Sequence, residues 1–414
     1  MTDAPRAFPA WLPPLFLAIL SIGLYAPTLN YGLVYDDSFL IADNTSVTPA
    51  RKDLSVAFEL FGREYWEGVQ ANQQAALQPR GQALYRPLTL FLWALIVNVN
   101  GLSSTWPFHL LSILVNAGVV VLLYFAVLRL FQRPRLAFVA SLLFALHPLH
   151  SEAAAYVAGL SDLLAAATVL GGLLLWERAT RDPDHLATKP WVGLLAVLFF
   201  GLLAKEQAVL LIPVVALSDV VRSMRGQRSS TSARLAVYWG LLLVLAAHLA
   251  LRTWAIGSLV PDPHSIPRID NPLILEPFGV RLLTGFKLLA MQVWLLLWPK
   301  ALSIDYSFDV VPVARSLGEP AALAGATLVL ALLVFGIARL RRWPAMAWGV
   351  LVFLGCAVYT SNILVPIGTF FGERLLYLPS AGACVAVAAL IEPLLRSRRA
   401  AAPAADAGQP APAA

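Results

Sequence analysis

The sequence predicts an all-α, polytopic membrane protein, and three observations carry that prediction. Mean hydropathy is +0.72 across 414 residues, too apolar for an ordinary soluble domain. Apolar runs close to 20 residues recur along the chain, each long enough to cross a hydrocarbon layer of ~30 Å as a helix. Hydrophobic residues make up 59% and charged residues only 13%, so the few carboxylates are informative wherever they occur. Helices are the elements that fit, because they satisfy their backbone groups internally.

The runs fall in order at 12–30, 107–128, 153–176, 233–251, 321–338, 345–362 and 375–391. Shorter apolar stretches begin near 136, 190 and 206. Together they predict about ten spans, starting near residues 12, 107, 136, 153, 190, 206, 233, 320, 344 and 375. The first reads as an uncleaved signal anchor, being longer than most signal-peptide cores and followed by many spans. Two further stretches are set aside as juxtamembrane or re-entrant helices. Residues 88–99 are too short to span comfortably, and 280–298 are interrupted by Arg281 and Lys287. Residues 1–399 then form a single transmembrane domain with two long loops, 31–106 and 253–319. The first loop contains a Gln- and Ala-rich stretch at 70–82, and the second is rich in proline. The Ala/Pro-rich tail at 400–414 is expected to be disordered. Cys356 and Cys384 lie inside predicted spans and read as packing residues.

The net charge of +6 reflects positive-inside bias rather than nucleic-acid binding. With the N-terminus cytoplasmic, the short connectors carry Arg6, Arg129, Arg133, Arg135, Arg178, Arg181, Lys189, Arg222, Arg225, Arg228, Arg234, Arg339, Arg341, Arg342, Arg396, Arg398 and Arg399. Those are more than half of the 30 basic residues, on much less chain than the outer segments occupy. Both termini are therefore expected inside. Most of the residues able to do chemistry then share the outer face, and arginines dominate the other.

On that outer face, Asp36 and Asp37 follow the first span. Adjacent acids repel, so a partly buried one has a raised pKa and can accept a proton from an attacking hydroxyl. The alternative is a solvated loop pair. Arg86 precedes Pro87 at the start of a helix, where a guanidinium beside free N–H groups suits a phosphate. A snorkelling interfacial arginine is the plainer reading. His147, His150 and Glu152 join two spans. They could ligate a metal, but Pro148 breaks helical presentation, and polar-turn or substrate contacts fit better. Asp162 lies in an apolar span, where a carboxylate is functional by default. Lys205 and Glu206 sit between spans and could simply pair with each other. Asp305 ends the 280–298 region. Glu373 and Arg374 stand at the mouth of the last span, with Glu373 placed to orient Arg374 toward a lipid phosphate. No Walker loop, dinucleotide fingerprint, CxxC pair or nucleophile elbow is present, so the sequence gives no support to ATP-driven or soluble-cofactor chemistry.

Several of these segments occur together and in order: Tyr35-Asp36-Asp37, Tyr85-Arg86-Pro87-Leu88-Thr89, Phe108-His109-Leu110, Phe144 through Glu152, Ser161-Asp162-Leu163-Leu164, Ala204-Lys205-Glu206-Gln207 and Glu373 through Ser380. In this the chain resembles the membrane part of the transmembrane and tetratricopeptide-repeat O-mannosyltransferases. More distantly it is similar to protein O-mannosyltransferases and other GT-C glycosyltransferases. The resemblance covers nearly the whole chain, without the family's C-terminal repeat domain. It implies a GT-C-like bundle, a polyprenyl-phosphate sugar donor, and a catalytic base in the acidic pair of the first outer loop. By that likeness Asp36 or Asp37 is the base, and Arg86 and Arg374 hold the donor phosphate. His147, His150, Glu152, Asp162, Lys205, Glu206, Asp305 and Glu373 then support the substrate.

The expected function is transfer of a mannose-like sugar from a polyprenyl phosphate to an acceptor hydroxyl on a protein, lipid or glycan. No cofactor is required, although the Asp pair could hold a divalent metal. The expected location is the cell inner membrane, with the active face toward the periplasm or exterior. The rival reading is a flippase for lipid-linked sugars or another transporter, for which Asp162 would mark a pathway. Against it, the polar residues gather on one face and the cytoplasmic connectors lack matching acids.

Overall fold

The computed structural model describes residues 9–69, 84–259 and 262–400. The Gln/Ala stretch at 70–82 and the tail from 401 onward lie outside them. The helices are α1 (Leu12–Tyr25), α2 (Val56–Glu59), α3 (Pro87–Asn100), α4 (Trp106–Phe131), α5 (Pro134–Leu146), α6 (Ser151–Ala155) and α7 (Leu160–Ala179). They continue as α8 (Thr188–Ala204), α9 (Leu211–Met224), α10 (Thr231–Ile256), α11 (Phe278–Leu297), α12 (Pro320–Arg339), α13 (Pro344–Thr360) and α14 (Tyr377–Ala400). The described residues form no β-sheet; their strand-like pairing is a single bridge between Asn44 and Val69. Many helices open with proline in the first turn, α3, α4, α5, α12 and α13 among them. A missing N–H costs nothing there.

Eight segments among the described residues are long and apolar enough to cross a membrane, and nine if the bent pair α5–α6 counts as one span. The protein is a multi-pass membrane protein. Seven expected spans appear at full length. The stretch near 136 is the bent pair, and those near 190 and 344 are the 17-residue helices α8 and α13. The region 280–298, expected as a juxtamembrane or re-entrant helix, is one continuous helix of 20 residues, α11, whose length and composition also match those of a span. Its charges do not break it. Arg281 lies in the first turn, and Lys287 Nζ donates to the Pro312 carbonyl and to Glu319 at 2.8 and 2.7 Å. Short α3, 14 residues long, packs under the first loop, whose Leu40, Val47 and Leu60 join Trp93 and Val97 in a buried cluster.

The main core lies among α4, α5, α7, α8, α9 and α14. The outer helices α10 and α12 bury little of their apolar surface and carry exposed Trp239, Leu243 and Leu330, as helices facing lipid do. The α13–α14 seam is set by glycine. A Cβ on Gly349 would stand 2.5 Å from the Gly382 carbonyl, and one on Gly382 2.6 Å from that of Gly349. Small residues at such crossings let two backbones touch.

What positions the site is a series of helix breaks at one end of the bundle. Pro148 ends α5, and α6 leaves at 58°. Tyr156 is extended (φ −80°, ψ 124°) between α6 and the turn leading to α7. Lys205 is extended (φ −161°, ψ 140°) between α8 and the turn Glu206–Leu210. Gly372 is extended before the turn Glu373–Leu376 that opens α14. Each break sets an ionisable or phenolic side chain where a regular helix would have continued past it.

Candidate active site

The breaks and the two long loops enclose a cavity of ≈ 470 Å³. Its wall includes Asp36, Arg86, Glu152, Lys205, Glu206, Asp305 and Arg374. Seven side chains singled out in the sequence, from six separate segments, thus converge on one space. Tyr35, just before Asp36, has φ +51°, a conformation uncommon for a bulky residue and characteristic of strained functional turns.

The two acids of the pair part company. Asp37 is fully buried and absent from the cavity wall. Its carboxylate accepts from the backbone N–H of Ala158 at 2.7 Å, Val157 at 3.2 Å and Val34 at 3.5 Å. It therefore ties the first loop to the break between α6 and α7. Burial pushes its pKa up to about 7 against the pull of those N–H groups. Asp36 lines the cavity, and its own N–H donates to the Tyr156 hydroxyl at 3.0 Å. Burial raises its pKa above the usual carboxylate range; Arg374 and the Tyr156 hydroxyl pull it down, and Asp305 pushes it up.

Each sequence-selected cation on the wall faces one carboxylate. Arg86 gives both Nε and Nη2 to Glu206 Oε2 at 3.1 Å and lies 5.2 Å from the Tyr65 ring centre. Lys205 Nζ donates to Asp162 Oδ1 at 2.5 Å. Arg374 donates through Nη1 and its backbone N–H to Glu152, at 2.9 and 2.7 Å, and lies 5.4 Å from the Tyr156 ring centre. The pairings are not those of sequence neighbours. Lys205 and Glu206 point to different partners, because the break after Ala204 turns them apart. The acid that orients Arg374 is Glu152 rather than Glu373, because the turn at 373 directs consecutive side chains to different sides. Glu373 instead accepts from the Ser303 N–H and the Tyr306 hydroxyl, both at 2.6 Å.

The remaining expected site residues stand behind the wall. Asp162 is buried beneath Lys205. His150 Nε2 meets Ser380 Oγ at 2.7 Å between Phe144 and Tyr377. His147 accepts the Leu149 N–H at Nδ1, so its Nε2 donates to the Leu296 carbonyl at 3.0 Å. Both histidines hold the α5–α6 bend rather than face the cavity. Among the described residues, no group of three or more His, Cys, Asp or Glu side chains is disposed to hold a metal ion.

Sequence reasoning missed Asp270, Arg252 and the stretch 364–369, all of which line the cavity. Burial, with Asp305 and Asp36 close by, pushes the Asp270 pKa up to about 6. The wall from 364 to 369 is held by Asn362, whose φ is +61°. Its Oδ1 accepts from Asn271 Nδ2 and the Ile367 N–H, both at 2.8 Å. An asparagine pair so far apart in sequence leaves no local signal. A second hollow of ≈ 660 Å³ adjoins the cavity; Glu152 and Ile304 belong to both walls, and His109 lines the second.

Fold and site thus define an all-α multi-pass membrane protein whose ionisable side chains gather on one cavity beneath its first long loop. The family profile for Dolichyl-phosphate-mannose-protein mannosyltransferase matches residues 82–254, and that for Protein O-mannosyl-transferase TMTC, DUF1736, matches residues 262–333. The chain is 28% identical to the mouse Protein O-mannosyl-transferase TMTC3 over 88% of its own length and 40% of that protein's. It is 27% identical to mouse TMTC4 (92% and 56%) and 31% identical to Drosophila melanogaster Tmtc2 (74% and 31%). The chain is thus similar to the TMTC O-mannosyl-transferases over most of its own length and spans about half or less of the length of these proteins. The Archaeoglobus fulgidus oligosaccharyltransferase aligns over 95% of this chain and 52% of its own at 11% identity, with a TM-score of 0.43.

Proposed function

We propose that this protein is a glycosyltransferase that moves a sugar, mannose by likeness to its relatives, from a polyprenyl-phosphate carrier to an acceptor hydroxyl. Asp36 is the base. It takes the hydroxyl proton as the acceptor oxygen forms its bond to the anomeric carbon. The bond from that carbon to the phosphate oxygen breaks, the phosphate leaves with the electron pair, and the sugar inverts. Charge gathers on the phosphate, and Arg374, Lys205 and Arg86 are placed to stabilise it. Lys205 is well suited because its ammonium has three donors and spends one on Asp162. The relatives' names point to a protein hydroxyl as acceptor. By the charge asymmetry of the connectors, the cavity opens on the outer face of the cell membrane and both termini are cytoplasmic.

The observation that carries this reading is the position of Asp36: a carboxylate with a raised pKa, on the wall of a cavity, within the field of Arg374. A transporter needs no such base. The test uses purified protein, a short-chain polyprenyl-phosphate mannose and serine- or threonine-bearing peptides, with glycopeptide read by mass spectrometry. Product with the wild type and none with Asp36→Asn is expected. Full turnover in Asp36→Asn, or an unaltered donor in every wild-type reaction, overturns it.

A further inference from the structure

We infer that Gln207 is a substrate-binding residue whose side-chain amide donates a hydrogen bond to a phosphoryl oxygen of the donor. The inference rests on the glycosyltransferase reading and extends it to a residue that has been given no role above.

Gln207 follows Lys205 and Glu206 in the turn after α8 and lines the same cavity. It is 2% exposed, and its Nε2 is buried with no hydrogen-bond partner. Leaving a buried amide donor unpaired costs stability. Such a cost is tolerated where function needs the group. Other buried polar atoms also lack partners, Gln292 among them, but Gln292 lines neither hollow. Among the described residues, only Gln207 combines an orphaned amide with a place on the cavity wall, which Lys205, Arg86 and Arg252 share. Lys205 lies within the fields of Arg86 and Arg374, so this part of the cavity is where an anion is best held. An amide donor on a wall shared with three cations suits a phosphoryl oxygen, which accepts several donors at once. It adds direction without adding charge.

The test measures binding of a short-chain polyprenyl phosphate, with and without a mannose on it, to wild type, Gln207→Met, Gln207→Ala and Gln207→Glu, alongside each variant's Tm. Methionine keeps the length and removes the unpaired amide. It should raise the Tm of the ligand-free protein while weakening both ligands about 10- to 100-fold, as loss of a hydrogen bond to a charged group does. Alanine should weaken both similarly. Glutamate should weaken them at least as much, by repelling the phosphate. Equal affinity for wild type and Gln207→Met overturns the inference. Weakening confined to the mannosylated ligand also overturns it, by moving Gln207 to the sugar. If the wild type binds neither ligand, the glycosyltransferase reading falls and this inference with it. Wild-type binding that the variants leave unchanged sinks only the role of Gln207.

Discussion

Arg374 and Arg222 stand at opposite ends of the same bundle, each a largely buried guanidinium close to an aromatic ring. Arg222 lies 4.8 Å from the Trp176 ring centre, and Arg374 lies 5.4 Å from that of Tyr156. Their other partners differ. Arg222 donates to Thr180 Oγ1 at 2.9 Å and to the Thr180 carbonyl at 3.0 Å, closing the C-terminus of α7. Arg225 behaves alike, donating to the Leu130 carbonyl near the end of α4, whereas Arg133 pairs with Glu392, and Arg234 and Tyr238 share Asp219, away from the cavity. Arg222 and Arg225 complete helix termini, whose last carbonyls need donors and whose dipoles favour positive charge. At the cavity end, Arg86, Lys205 and Arg374 are each bonded to a carboxylate beside empty space. The difference teaches that burial and pairing do not by themselves separate structural from functional arginines. The partner does: a backbone carbonyl is fixed, whereas a carboxylate on a cavity wall can share its cation with an incoming phosphate.

The sharpest way to break this comparison is at the acidic pair, where neighbouring residues belong to the two classes. Asp36→Asn removes proton acceptance and little else. It should lower kcat/KM by about 10²–10⁴-fold with Tm unchanged. Asp37→Asn replaces one accepting oxygen by an NH₂ that opposes the N–H groups of Val157 or Ala158. It should lower Tm and the yield of folded protein, with turnover falling through that loss. Thermal unfolding measured beside steady-state kinetics separates the two, and a normal Tm with lost turnover in Asp37→Asn would reverse the assignment.

The arginines come next. If Arg374 binds the donor phosphate, Arg374→Ala should cost about 2–5 kcal/mol of donor affinity. Arg374→Lys should fall between alanine and wild type, because it keeps charge but loses the planar fork. Arg222→Ala should leave donor affinity unchanged and cost about 0.5–1.5 kcal/mol of stability for each hydrogen bond lost to Thr180, whose carbonyl still accepts from Ser229 Oγ. Donor titration and chemical unfolding of the same three variants give both readings. Equal donor affinity in wild type, Arg374→Lys and Arg374→Ala would return Arg374 to a structural role.

Much of this arrangement was legible in the sequence. In so apolar a chain, charge has few reasons to appear, so Asp36, Arg86, Glu152, Lys205, Glu206, Asp305 and Arg374 stood out before any fold was known. Connector arginines such as Arg222 read as structural for the same reason. Pairing was not legible, because it depends on the direction in which each helix breaks. Lys205 and Glu206 could have paired with each other, and Glu373 could have oriented Arg374; extended backbone at Lys205 and Gly372 decided otherwise. The division of labour between Asp36 and Asp37 turns on one left-handed residue, Tyr35. Helix α11 is continuous although Arg281 and Lys287 read in the sequence as interruptions. One lies at a helix end, and the other reaches out to Pro312 and Glu319.

A smaller effect concerns pH. Asp36 must be ionised to act as base, and its folded pKa is raised by burial, with Arg374 and Tyr156 opposing and Asp305 adding to the rise. Activity is therefore present above that pKa and lost as pH falls through it. The acidic limb of kcat/KM should lie above the ordinary carboxylate value of about 4 and fall about tenfold per pH unit below its midpoint. Asp305→Asn removes a like charge and should move the limb to lower pH. A limb unmoved by that change would show that Asp305 does not act on the titrating group.

The smallest expected effect removes one hydroxyl from each end. Tyr156→Phe keeps the ring beside Arg374 but deletes the oxygen that accepts the Asp36 N–H at 3.0 Å. Ser218→Ala deletes the oxygen that accepts from Trp348 Nε1 at 2.9 Å, near the arginine end of the bundle. Tyr156→Phe loses the bond from the Asp36 N–H, and Ser218→Ala loses that from Trp348 and its own to the Val214 carbonyl at 2.7 Å, each worth a net of about 0.5–1.5 kcal/mol. The consequences should differ because the groups left behind differ. Without the Tyr156 hydroxyl, Asp36 is less firmly placed beneath the acceptor, and kcat should fall about 3- to 10-fold, as it does when a reacting group loses orientation. Donor KM should hold, because Arg374 keeps both Glu152 and the ring. Without the Ser218 hydroxyl, a buried indole N–H is stranded, Tm should drop by a few degrees, and kcat and KM should both hold. A Tyr156→Phe protein with unchanged kcat would mean that the first loop holds Asp36 through Asp37 alone. The division between an end that closes helices and an end that aims side chains would then rest on the charged groups only.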